Sequence, residues 1–125
     1  MNKPLMELLL PRLAKRLQRH LRRYQAGKLS DAQFSRKFEA LMQQQLQWLA
    51  NQGIPEAEAA VTVHSAMLVL SVAGLHAEAE EQKVPLEVVE YRAVVSAAED
   101  VVRTYGVSRL RAIRQISSLV SEYSD

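Results

Sequence analysis

The segment 57–73 constrains this chain more than any other. At helical spacing its apolar residues leave no continuous polar side, and a helix of that kind belongs in the middle of a bundle. A membrane span is the other structure that tolerates such a segment. The longest apolar stretch, Val61 to Leu75, contains Thr62, His64, Ser65 and Ser71 and falls short of the roughly 20 residues that a spanning helix needs. The segment therefore reads as the centre of a water-soluble fold, with other helices required on every side of it.

Glycine and proline mark where those helices stop and start. Gly27, Gly53 and Gly106 each follow a helix-periodic run, the position at which glycine ends a helix. Pro55 and Pro85 stand where new helices begin and where a missing N–H costs nothing. Ser30 and Gln33 form a capping-box pair, with Leu29 and Phe34 placed as its hydrophobic staple. The stretch Gly27-Lys28-Leu29-Ser30-x-x-x-Phe34, ending at Leu41, resembles the short helical unit called SHOCT. Any capped helix after a glycine has this pattern, so the resemblance implies a helix there and nothing about activity.

The third segment runs from Glu56 to about Lys83, with Gly74 as the candidate break. The fourth, Leu86 to Tyr105, confines Arg92, Ser96, Glu99, Asp100 and Arg103 to one narrow polar face; the fifth is Ser108 to Tyr123. Val61-Thr62-Val63 and Val88-Val89-Glu90-Tyr91 are rich in strand formers and offer a hairpin as the competing reading. Alanines throughout both regions favour helix, and two lone strands are marginal. The expectation is an all-α fold: one domain over residues 1–125, a bundle of about five helices around the central apolar helix 57–73.

Composition excludes several chemistries. There are no cysteines, so disulfides, thiolate metal sites, iron–sulfur clusters and cysteine nucleophiles are out. His20, His64 and His76 fall in different segments, and none has the glutamate three residues before it that a diiron bundle uses. His76 and Glu80 share a helical face, but two side chains do not make a metal site. No phosphate-binding glycine loop and no nucleophile–base constellation is present, so the expected protein is not an enzyme and carries no cofactor or metal. The N-terminal stretch lacks the apolar length and cleavage site of a secretory signal, which points to the cytoplasm.

The formal charge of +2 hides a strong asymmetry. Residues 1–50 hold ten Lys/Arg against three acids, a net of +7; residues 51–102 hold nine acids against two cations, a net of −7. On the first helix Arg12, Lys15, Arg16, Arg19, Arg22 and Arg23 fall within an arc of about 120°, opposite Leu10, Leu13, Ala14, Leu17, Leu21 and Tyr24. Like charges four residues apart repel, and a surface built only for solubility mixes its signs. This basic face either meets the acidic stretch Glu78, Glu80, Glu81, Glu87 and Glu90, within the fold or across a dimer, or binds an acidic protein, nucleic acid or an anionic membrane. The membrane is the weakest of these, because the bundle needs the apolar side of the helix for its own core.

The C-terminal run Val101 to Ala112 resembles a helix-turn-helix, with Gly106 in the turn and Ser108 capping a second helix that carries Arg109, Arg111 and Arg114. Leu110 and Gln115 depart from its pattern by one position and suggest a plain helix–helix connection instead. The leading expectation is a non-catalytic interaction or adaptor module inside the cell, binding a protein or itself as a homodimer. The alternative is a nucleic-acid-binding protein using the 12–23 face, with or without the second patch. Nucleic acid predicts affinity that falls steeply with salt, and a flatter slope once Arg16, Arg19 and Arg23 become Gln. No retention on heparin or DNA at low salt sinks that alternative.

Overall fold

The computed structural model describes residues 2–123, and among them there are six helices and no strand: α1 (Asn2–Gln25), α2 (Asp31–Asn51), α3 (Glu56–Leu70), α4 (Val72–Gln82), α5 (Leu86–Tyr105) and α6 (Arg109–Tyr123). The hairpin reading of Val61–Val63 and Val88–Tyr91 is thereby corrected, since both runs are helical. Their alanine neighbours suit a helix, and α3 gains its partners from helices rather than from a second strand.

α3 packs against every other helix. Ala59, Ala60, Val61, Val63, Ala66, Met67 and Val69 are buried, and so are the hydroxyl residues Thr62 and Ser65. Those two polar side chains are satisfied inside the helix: Thr62 Oγ1 donates to the Glu58 carbonyl at 2.8 Å and Ser65 Oγ to the Val61 carbonyl at 2.7 Å. Back-bonding of this kind lets a hydroxyl enter a core without leaving a donor unpaired. The α3 surface is thus apolar in effect as well as in composition.

The helix count exceeds five because the third segment is broken. The break lies at Ser71, not at Gly74: the Ser71 N–H bonds three residues back to the Leu68 carbonyl at 3.1 Å, and α4 leaves α3 at 62°. Gly74 sits inside α4 with open space where a Cβ would stand. The bend carries α4 away from the α3 axis and onto α5. Among the described residues no single helix is long and apolar enough to cross a membrane.

The turns follow the sequence closely, with one exception. Ser30 Oγ accepts from the Gln33 N–H while Gln33 Oε1 accepts from the Ser30 N–H, a complete capping box at the start of α2. Gly27, at φ 75°, ends α1 in a left-handed conformation, and the Lys28 N–H reaches back to the Arg23 carbonyl at 2.9 Å. Lys83 ends α4 in the same conformation, at φ 57°, with the Val84 N–H on the Ala79 carbonyl. A side chain there crowds its own backbone, which glycine avoids.

α1 and α2 run antiparallel: Arg12 meets Trp48, Arg16 meets Gln44, and Tyr24 donates to Asp31. α1 enters the core through Met6, Leu9, Leu13 and Leu17, each fully buried. Beyond Leu17 the two helices lean mainly on each other. Between residues 18 and 40 the buried side chain is Leu29, while Tyr24, Phe34 and Phe38 form an aromatic ladder along the pair.

Two stability measurements check this arrangement. Met67→Ala, at a buried position of α3, costs about 2–5 kcal/mol by denaturant unfolding, whereas Leu110→Ala on the surface of α6 stays within about 0.5 kcal/mol. Lys83→Gly raises stability by about 0.5–1 kcal/mol, by relieving the left-handed turn.

Candidate interaction surface

Burial of Met6, Leu9, Leu13 and Leu17 dictates where the rest of α1 points. Arg12, Lys15, Arg16, Arg19, Arg22 and Arg23 all lie on the solvent side and are exposed. The acidic segment does not cover them. α4 packs on α5 and α3, while α1 packs on α2 and α3. Among the described residues ion pairs form between Lys3 and Glu122, Arg103 and Asp100, and Arg109 and Glu99, and none reaches residues 12–23. Glu78, Glu80, Glu81 and Glu87 are exposed too, and among the described residues none of them has a cation in an ion pair.

The six cations are not equivalent. Arg12 lies flat over the Trp48 ring, 3.8 Å from its centroid, and its Nε donates to Gln45 Oε1 at 3.3 Å. Gln45 is almost fully buried, an unusual place for glutamine, and Arg12 supplies its partner. Arg16 Nη1 donates to Gln44 Oε1 at 3.3 Å. These two arginines form the edge of the face that meets α2. Among the described residues Lys15, Arg19, Arg22 and Arg23 make no side-chain hydrogen bond or ion pair and are the free part of the surface.

Beside that edge a depression of about 430 Å³ lies between α1 and α2, lined by Arg16, Arg19, His20, Lys37 and Gln44 over Ala40 and Leu41. No carboxylate lines it. Burial first, and then Lys37, Arg19 and Arg23, hold the His20 imidazole below its ordinary value, and its buried Nδ1 has no hydrogen-bond partner. Lys37, His20 and Gln44 were not legible as part of one surface from sequence. Their only signal was the excess of cations over acids in residues 1–50, without the α1–α2 register that brings them together.

The second basic patch is more dispersed. Arg109, Arg111 and Arg114 are exposed, but Arg109 is held by Glu99 at 3.4 Å and Arg111 shares a depression with Glu58. α5 and α6 lie alongside each other over most of their lengths, from the Glu99–Arg109 pair to a depression lined by Glu87, Tyr91, Ser117 and Ser121. Two helices crossing steeply, as in a helix-turn-helix, part company within a turn or two.

The remaining candidates are quickly placed. His64 lines a cleft of about 240 Å³ with Glu39 and Asp100 from the flanking helices, and burial lowers its imidazole against their opposing pull. His76 is exposed on α4, apart from that cleft. Among the described residues no three His, Asp or Glu side chains converge as a metal site. No protein-family model matches this chain, including its SHOCT-like stretch, and no curated protein or solved structure matches it either.

The two buried-side histidines set a pH dependence. Both have folded values below the ordinary 6.5, so the unfolded chain binds more protons as pH falls, and stability is lost on acidification through about pH 6.5. Unfolding midpoints measured from about pH 7.5 to 5 fall in the wild type and fall less in His64→Gln. On the basic face, Arg12→Gln lowers stability by about 1 kcal/mol through loss of the Trp48 and Gln45 contacts, while Arg22→Gln stays within about 0.5 kcal/mol.

Proposed function

We propose that this protein is a non-catalytic interaction module that associates through charge, with the basic face of α1 taking the acidic α4–α5 stretch of a second copy. The observation that carries the reading is that both surfaces are open in the folded chain and neither is neutralised by the other. Like charges stacked along one helix repel by a few tenths of a kcal/mol per pair, and an external acidic surface relieves that repulsion.

The charge of a second copy suits the basic face. It offers Glu78, Glu80, Glu81 and Glu87 as an exposed run of the opposite sign, and two-fold pairing uses each surface twice and closes. In this reading the helices packed around α3 form a scaffold that holds the two charged surfaces apart, and the molecule works inside the cell. Nucleic acid is the competing polyanion, but the acidic half repels it and the lengthwise α5–α6 pair lacks the steep crossing that seats a recognition helix.

Sedimentation velocity tests the proposal. At about 50 mM salt the wild type sediments as a dimer and at about 500 mM as a monomer. Arg19→Glu with Arg22→Glu yields a monomer at low salt, as does Glu80→Lys with Glu81→Lys, and mixing the two variants restores a dimer. A wild type that stays monomeric at low salt refutes self-association. Retention of that monomer on DNA, lost with salt, shifts the assignment to nucleic acid.

A further inference from the structure

We infer that the depression between α1 and α2 is a binding site for a phosphoryl oxyanion, held by Arg16, Arg19 and Lys37 with Gln44 as a polar partner. The site is built by one chain alone; it shares Arg19 with the face proposed above for self-association, whereas Lys37 and Gln44 belong to the depression only.

The argument begins with what lines the depression. Arg16 and Arg19 come from α1, Lys37 from α2, and the antiparallel register of the two helices sets all three around one space. The acids of the two helices lie elsewhere: Glu7 stands more than two turns before Arg16 on α1, Glu39 faces the cleft that holds His64, and Asp31 is occupied by the Tyr24 hydroxyl. The space between the cations is therefore uncompensated. Concentrating positive charge without a counter-charge is unfavourable, and binding an anion there is correspondingly favourable.

The donors suit phosphate in kind. Guanidinium groups present paired N–H donors that match two phosphate oxygens at once, and a lysine adds a point charge. Gln44 Oε1 already accepts from Arg16, which leaves its amide N–H₂ to donate. His20 supplies an independent observation. Its Nδ1 is buried without a partner, and the groups facing it are all cations: Arg19 and Arg23 of α1 and Lys37 of α2. An oxyanion in the depression reverses that environment, so His20 reports occupancy.

The ring resonances of His20 are followed by NMR during titration with pyrophosphate, with chloride adjusted to constant ionic strength. The expected result is a saturable shift, with the His20 titration midpoint moving upward on binding. Lys37→Gln and Arg19→Gln each weaken the affinity at least about tenfold, while Arg111→Gln, in the separate depression beside Glu58, leaves it unchanged. Thermal melts of each variant confirm that it is folded. A short single-stranded oligonucleotide, titrated in the same way, separates the sources. Binding that pyrophosphate displaces means that the site takes phosphodiesters, and binding of pyrophosphate alone means a small free ligand. Shifts that never saturate, or that Arg111→Gln reduces as much as Lys37→Gln, overturn the proposal. Because Arg19 serves both surfaces, the same variants are also sedimented: Lys37→Gln loses pyrophosphate binding and keeps the low-salt dimer, so either reading can fail alone.

Discussion

Every part of this structure answers to the need to enclose α3. A helix with no polar side cannot rest on a single neighbour, because whichever side is left bare exposes apolar surface to water. α1, α2, α5 and α6 meet most of that need, and α4, after the bend at Ser71, packs mainly on α5. The two hydroxyls within α3 turn back onto their own helix, so the enclosure leaves no unpaired donor behind. The requirement fixes the inward side of each surrounding helix and, by elimination, what each one shows to solvent.

The charge pattern is a consequence of that enclosure. Because α1 must present Met6, Leu9, Leu13 and Leu17 to the core, its cations have no choice but to face outward. The acidic run is carried by α4 and α5, and α4 packs on α5 and α3, while α1 packs on α2 and α3. Arg12 and Arg16 are partly absorbed by α2, through Trp48, Gln45 and Gln44, whereas Lys15, Arg19, Arg22 and Arg23 remain open. The result is a molecule of net charge +2 that carries two strongly charged surfaces of opposite sign.

Much of this was legible in the sequence, and the losses have physical causes. The glycine stops at 27, 53 and 106 and the capping box at Ser30 and Gln33 rest on local backbone rules. Gly74 misled because glycine is a weak helix former, yet the bend at Ser71 is imposed by where α4 finds its partner on α5. Lys83 carries a turn that glycine usually makes, so no residue type announced it. The basic face followed from helical periodicity alone. The α1–α2 depression did not, because Lys37 joins Arg16 and Arg19 only through the register of two helices, which no single-helix pattern encodes.

The central claim is that the basic face is uncovered in its own chain and meets the acidic stretch of another. Zero-length carboxylate–amine cross-linking tests it directly, using a mixture of isotopically heavy and light protein at low salt. The account predicts links from Lys15 to Glu78, Glu80 or Glu81 that join heavy to light chains and vanish at high salt. The same links found only within one chain would mean that the acidic segment folds over α1, and that result contradicts the account.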